Sequence, residues 1–130
     1  MELNSELVTE APRPAATVIL LRDGTDGLEV FLLKRHGLSD VLGGAYVFPG
    51  GKLDPSDAQL DAGNHLDMPL DTLHARLNET NISPAEAAGL HVAALREAFE
   101  ESGVLLAHDP SGRAANTTEA SARLKNGMSF

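Results

Sequence analysis

The sequence predicts a small α+β domain, because two apolar runs joined by a turn are followed by one long, well-delimited helix. Residues 15–21 (AATVILL) and 28–34 (LEVFLLK) are the apolar runs, and the first is expected to be a buried strand. Residues 22–27 are rich in Gly and Asp, so the two runs are predicted to form a hairpin.

A third strand and an insertion are predicted between this hairpin and the helix. Residues 45–48 form a short apolar run, which Pro49-Gly50-Gly51 is expected to end. Residues 58–82 are largely polar and are interpreted as a surface insertion. Within them, leucines recur at helical spacing over residues 69–79, which predicts a short helix.

The clearest prediction is a helix over residues 84–102. Ser83 and Glu86 form a capping box around Pro84, and Gly103 is a typical residue to follow the helix. Four apolar residues fall on one face of this helix and are predicted to face the core: Ala88, Val92, Leu95 and Phe99. Residues 119–125 predict the start of a further helix.

Composition limits the classes of function. A chain of 130 residues, 42% hydrophobic and 22% charged, is enough for one globular domain, with residues 1–13 expected to be a flexible leader. Cysteine is absent, no apolar run is long enough to cross a membrane, and the acidic N-terminus does not resemble a secretory signal. We therefore expect a cytoplasmic location and no membrane partner. The net charge of −9 argues against nucleic acid as a partner.

Three acidic residues on the predicted helix indicate a cation site. Glu97, Glu100 and Glu101 lie at positions i, i+3 and i+4, so their carboxylates share one patch of the helix surface. Like charges at that spacing repel each other, and the C-terminal half of a helix disfavours anions. A hard divalent cation would remove this conflict, and Arg96 could orient one of the carboxylates. The alternative is an acidic helix face that is simply solvated.

Residues 96–104 (REAFEESGV) carry a family resemblance. They resemble the second half of the Nudix box: Arg-Glu, an apolar residue, any residue, Glu-Glu, any residue, Gly and an apolar residue. The first half of that box is a Gly, five residues and a Glu, and here Gly51 is followed at that distance by Asp57. The lead-in Phe48-Pro49-Gly50-Gly51 is also seen across the family.

The box is interrupted. The family has seven residues between its first Glu and the Arg, whereas residues 58–95 separate Asp57 from Arg96 here. This arrangement is similar to the peroxisomal-type coenzyme A diphosphohydrolases with a long insert. That branch also has an upstream motif, to which Arg35 and Gly44 conform, whereas His36 and Asp40 stand where Ser or Ala and a second Arg are usual.

The resemblance implies a Nudix-type α/β/α sandwich with a mixed sheet. It covers about residues 14–106, so the domain, placed at residues 14–130, is expected to be truncated after the box helix. The implied activity is hydrolysis of a diphosphate linkage in a nucleoside diphosphate joined to another moiety, with coenzyme A or acyl-coenzyme A as one such small-molecule substrate.

The resemblance also implies roles for individual residues. Glu97, Glu100 and Glu101 would bind Mg²⁺ or Mn²⁺, one of them would act as the base, and Arg96 would hold a carboxylate in place. The expected substrate-binding residues are Arg35, Phe48, Gly50 and Gly51. Of these, the two glycines are expected to form a tight turn beside the metal, with the Gly51 carbonyl as a further ligand.

Two other classes of function remain open. One is a catalytically silent Nudix-like module that binds a ligand or regulates, and the other is a structural acidic domain without a ligand. The five histidines show no spacing typical of a zinc site. A truncated sheet would expose an apolar face, so a homodimer is among the expected partners.

Overall fold

A computed structural model describes residues 9–38, 42–128 and 130 of the chain. Most of the predicted leader, residues 1–8, and Asp40 of the upstream motif lie outside the described residues. The described part contains both strands and helices, which confirms the α+β class.

Six short strands form three antiparallel pairs. Their bounds are β1 Ala15–Thr17, β2 Leu21–Gly24, β3 Gly27–Val30, β4 Leu33–Lys34, β5 Tyr46–Val47 and β6 Gly50–Lys52. Strand β2 pairs with β3, β4 with β5, and β1 with β6. The six strands lie in three extended segments of the chain, which are β1 with β2, β3 with β4, and β5 with β6. Each segment therefore pairs with both of the others, one strand with each.

The hairpin between the first two extended segments is confirmed. Leu21 lies opposite Val30 and Gly24 opposite Gly27, with a two-residue turn at Thr25 and Asp26. Gly27 has a φ of +124°, which an L side chain rarely adopts. The predicted strands 15–21 and 28–34 are each interrupted, because the chain changes its pairing partner within them.

One expectation about the strands was wrong. The first apolar run is not buried, since Ile19 is 56% exposed and Leu21 is 55% exposed. The third predicted strand does stop before Pro49, because β5 covers Tyr46–Val47. The sequence did not predict β6, which begins at Gly50 and pairs with β1 over three residues. A Pro-Gly-Gly sequence predicts a turn from local preferences alone, whereas β6 forms through pairing with a distant segment.

Four α-helices follow the strands, and a 3-10 turn at Asp57–Gln59 precedes them. Their bounds are α1 Ala62–His65, α2 Leu70–Leu77, α3 Pro84–Ser102 and α4 Thr117–Lys125. Three of them confirm the predicted helices over residues 69–79, 84–102 and 119–125.

Helix α3 begins and ends where its sequence signals are. The Ser83 hydroxyl accepts a hydrogen bond from the Glu86 amide at 3.1 Å, which caps the N-terminus. Gly103 has a left-handed backbone conformation, with a φ of +75°, and its amide donates to the Phe99 carbonyl. Local sequence therefore determines both ends of the helix that carries the acidic residues.

The core is built around one face of α3. Ala88, Val92 and Phe99 are buried as predicted, and Leu95 is half-buried. The 3-10 turn and α2 cover this helix, and Leu73 of α2 is also buried. The insertion therefore packs onto α3 rather than projecting from the surface.

The sheet differs from the expected mixed sheet. Every strand pair in the described part of the chain is antiparallel. No helix in that part is long and apolar enough to cross a membrane.

The β2–β3 hairpin leaves an apolar surface open. A groove of about 440 Å³ runs along it, lined by Leu20, Leu21, Val30, Phe31, Val104 and Leu106, among others. Open apolar surface along an exposed hairpin favours association.

We expect the 130-residue chain to self-associate through this hairpin surface. Replacing the cross-strand pair Leu21 and Val30 by Thr keeps strand propensity but removes apolar contact area. The double variant should weaken self-association by about tenfold or more, measured by sedimentation equilibrium. Leu38→Thr is the matched control, because Leu38 is 87% exposed and does not line this groove. A wild-type chain that stays monomeric at every concentration would contradict the expectation.

Candidate active site

The three acidic residues lie in the last two turns of α3. Glu97 is half-buried, whereas Glu100 and Glu101 are exposed. Strand β6 packs against this end of the helix, so the carboxylates lie beside a stretch of extended backbone. The predicted clustering on one helix face is therefore present, and the face borders the sheet.

Arg96 connects this face to two other elements. Its Nη1 donates to Glu97 Oε1 and to Glu100 Oε2, both at 3.0 Å. Its Nε and Nη2 donate to the two carboxylate oxygens of Asp57, at 2.9 and 3.0 Å. Nη2 also donates to the Lys52 carbonyl at 3.0 Å. A guanidinium has five N–H donors, and these five hydrogen bonds can use all of them.

Asp57 is the most deeply buried member of the group. Its side chain is only 2% exposed, against 12% for that of Arg96. The two hydrogen bonds that Arg96 donates to Asp57 raise the pKa of Arg96 above its usual value. Burial opposes this rise, and the hydrogen bond to Glu97 adds to it. The guanidinium is therefore charged under all ordinary conditions.

A tight turn presents Asp57 to Arg96. The Asp54 amide donates to Asp57 Oδ2 at 2.8 Å, and the Asp57 amide donates to the Asp54 carbonyl. The Asp54 carboxylate in turn accepts from the hydroxyl and the amide of Ser56, which lowers the pKa of Asp54. Asp57 is thus held from both sides, by its own turn and by Arg96.

The two glycines of β6 allow close approach rather than a tight turn. A Cβ on Gly50 would lie 2.4 Å from the Ala16 carbonyl oxygen, and one on Gly51 would lie 2.2 Å from the Glu97 carboxylate carbon. The Gly50 amide also donates to Glu101 Oε2 at 3.3 Å. The expected turn was therefore wrong, but both glycines adjoin the acidic face.

The other predicted substrate-binding residues lie on the neighbouring strands. Arg35 follows β4, and its amide and carbonyl form hydrogen bonds with Ala45 and Gly44. Phe48 connects β5 to β6 and is 38% exposed. One residue thus separates Phe48 from β6, the strand that borders the acidic face, whereas Arg35 lies just beyond the β4–β5 pair.

The carboxylates are not arranged around one point. Across residues 9–38, 42–128 and 130, no group of three or more His, Asp or Glu side chains is placed to hold a metal ion. Arg96 forms hydrogen bonds with one oxygen each of Glu97 and Glu100. The donor set consists of hard oxygen ligands, which suits Mg²⁺ or Mn²⁺ in its chemistry.

Sequence reasoning missed two parts of this arrangement. The Lys52 carbonyl accepts a hydrogen bond from Arg96. No sequence pattern indicates this, because every residue has a backbone carbonyl. Asp57 was recognised only by its distance from Gly51, whereas it is the bidentate partner of Arg96. Its position in the interrupted box was the available signal.

Two proteins resemble the chain, one in fold and sequence and one in sequence. A Nudix hydrolase of solved structure from Alicyclobacillus acidocaldarius matches 93% of this chain with a TM-score of 0.62 and 32% identity. The acyl-coenzyme A diphosphatase NUDT19 of Xenopus laevis is 33% identical in an alignment 103 residues long, which covers 65% of this chain. No family model matches the chain.

In its fold, its interrupted box and its sequence, the chain resembles Nudix hydrolases. One of the two relatives is an acyl-coenzyme A diphosphatase. The chain spans 52% of the length of the solved relative and 27% of the length of the curated one.

Replacing Asp57 by Asn should destabilise the fold. The change removes the charge that neutralises a buried guanidinium, although Glu97 and Glu100 still compensate it in part. We expect a loss of about 2–3 kcal/mol, slightly below the range for breaking a buried ion pair. Urea unfolding measures it. Glu119→Gln, which breaks the exposed pair with Arg123, is the control and should cost no more than about 0.5 kcal/mol. Equal effects of the two changes would contradict the role of Asp57.

Proposed function

We propose that this chain carries the cation-binding part of a Mg²⁺- or Mn²⁺-dependent diphosphohydrolase. The substrate class is a nucleoside diphosphate linked to another moiety. The observation that supports this most directly is the acidic end of α3, which Arg96 holds against β6 through the Lys52 carbonyl and which lies directly against Gly51. A cluster of carboxylate and carbonyl oxygens of this kind suits a hard divalent cation.

Glu97, Glu100 and Glu101 are the proposed ligands of the cation. Arg96 forms hydrogen bonds with one oxygen of Glu97 and one of Glu100, so the other oxygen of each carboxylate is the one available to a cation. Glu100 and Glu101 are exposed, and rotation of an exposed side chain between staggered rotamers costs little. The site is thus proposed to close around the ion when it binds. The Gly51 carbonyl is proposed as a further oxygen ligand.

The proposed reaction is attack of water on one phosphorus of the diphosphate. A bond forms between the water oxygen and that phosphorus, and the bond from phosphorus to the bridging oxygen breaks. A bound divalent cation supplies charge neutralisation and lowers the pKa of water in the site. One of the three glutamates accepts the proton. Arg96 keeps the carboxylates oriented but does not itself reach the substrate, since its donors are directed to Asp57, Lys52, Glu97 and Glu100.

Coenzyme A or acyl-coenzyme A is the substrate that we propose within this class. The curated relative is an acyl-coenzyme A diphosphatase, and Arg35 and Gly44 conform to the upstream motif of that branch. Arg35 lies at the end of β4, where its cation would meet the negative charge of a nucleotide. Phe48, Gly50 and Gly51 are proposed to contact the substrate along β6. A cytoplasmic location, the absence of a nucleic-acid partner and a homodimer belong to the same proposal.

A binding module without catalysis is the second candidate. The specific observation in its favour is that the described carboxylates are not gathered around one point. Such a module would bind the cation or the nucleotide without turnover.

Metal binding tests the acidic face. We expect Glu101→Gln to weaken Mg²⁺ or Mn²⁺ binding by about tenfold or more, because one charged oxygen ligand is lost. Isothermal titration calorimetry on the wild type and the variant measures this. Glu86→Gln is the matched control: it lies in the first turn of the same helix, about 22 Å from Glu101 at the usual rise per residue. Equal affinities for wild type and Glu101→Gln would overturn the proposed ligand set.

A substrate panel tests the proposed specificity. In a protein that supplies the part of the fold that this chain does not span, we expect Mg²⁺-dependent release of phosphorylated products from coenzyme A and its acyl derivatives. Arg35→Gln should raise KM for these substrates, and Arg113→Gln is the control because Arg113 follows α3 and lies far along the chain from β4. Turnover of nucleotide sugars or dinucleotides alone would reject coenzyme A, and metal binding without any turnover would favour the binding module.

A further inference from the structure

We propose that Gly89 is a positioning residue of the site. Its missing side chain lets the 3-10 turn lie close enough to α3 for Asp57 to reach Arg96. The effect on the cation rests on the function proposed above, whereas the effect on Arg96 does not.

The turn touches the helix backbone at Gly89. A Cβ built on Gly89 would lie 3.0 Å from both Cα and Cβ of Ala58, and 3.1 Å from its backbone nitrogen. Two of these three atoms belong to the backbone, so a change of rotamer cannot relieve the contact. A side chain at position 89 would have to move the turn itself. Ala58 is bonded directly to Asp57, so that movement reaches the buried carboxylate.

The choice of glycine here is not explained by the helix. Glycine in a helix interior lowers helix stability relative to alanine. The neighbouring buried positions of α3 carry alanine instead, at Ala87, Ala88 and Ala93. A helix that needed only small residues for packing would have alanine at position 89 as well. The close approach of Ala58 to the backbone at Gly89 explains why glycine rather than alanine stands here.

The pair that this contact positions tolerates little displacement. Asp57 accepts two hydrogen bonds from Arg96, at 2.9 and 3.0 Å, and such bonds weaken steeply when the partners separate or tilt. If Asp57 moved away, the released Nε and Nη2 donors of Arg96 would turn towards Glu97 and Glu100. Those two carboxylates would then be drawn further into hydrogen bonds with Arg96 and away from a cation.

The experiment compares Gly89→Val, Gly89→Ala and the wild type in two measurements. The first is the NMR signal of the Arg96 side-chain Nε–H, whose exchange with water is slow while Asp57 accepts its hydrogen bond. The second is Mg²⁺ affinity by calorimetry. We expect Gly89→Val to accelerate Nε–H exchange and to weaken Mg²⁺ binding, each by about tenfold, which corresponds to the loss of one hydrogen bond. Gly89→Ala should have a smaller effect in the same direction.

Two further variants separate positioning from loss of stability. Ala93→Val also enlarges a buried residue of α3, so it should lower stability but leave the Arg96 signal unchanged in the folded protein. Ala58→Gly removes the one opposing side-chain atom but leaves the backbone contacts, so it should recover part of the wild-type signal in the Gly89→Ala background. If Gly89→Val does not fold, the comparison of Gly89→Ala with the Gly89→Ala, Ala58→Gly double variant tests the role of Gly89.

The outcomes distinguish the two proposals. An unchanged Arg96 signal in folded Gly89 variants, or an equal change in Ala93→Val, would overturn the role of Gly89. A changed Arg96 signal in a protein whose wild type binds no Mg²⁺ would support Gly89 as a positioning residue but refute the proposed function.

Discussion

The candidate site depends on one buried cation, the guanidinium of Arg96. It binds the 3-10 turn through Asp57, strand β6 through Lys52, and its own helix through Glu97 and Glu100. The side chain of Arg96 is only 12% exposed, so its charge requires partners, because an unpaired charge removed from water is strongly unfavourable. Satisfying Arg96 therefore fixes where three separate segments of the chain meet. The position of the acidic face follows from that meeting point.

The sequence predicted the elements whose signals are local. The bounds of α3 followed from Ser83, Pro84 and Gly103, because a cap and a left-handed residue act within one turn of the helix. The hairpin followed from the turn residues at its tip. The remaining strands could not be delimited in this way, since β1 and β6 exist only through pairing between residues about 35 positions apart. Propensity cannot show where such a pairing starts or stops.

The same distinction applies to the site. Helical periodicity was sufficient to place Glu97, Glu100 and Glu101 on one surface. It could not show that Arg96 holds two of them, or that Gly50 and Gly51 serve the approach of β1 and Glu97 rather than a turn. The roles of Asp57 and Gly89 are also non-local, because each depends on how the insertion returns to α3. The position of Asp57 in the interrupted box was a signal for it, whereas no sequence pattern indicates the contact of Gly89 with Ala58.

The distance along the chain between Asp57 and Arg96 has a consequence for folding. The two residues are separated by 39 positions, and closing a loop of that length costs about 3 kcal/mol of chain entropy. Helix α3 and the β2–β3 hairpin need no such closure, so they can form earlier. Until the loop closes, Arg96 lacks its buried acidic partner and the end of α3 lacks its neighbouring turn. The site is therefore assembled late, and a partial opening that releases only the insertion would abolish it while most of the helix remains folded.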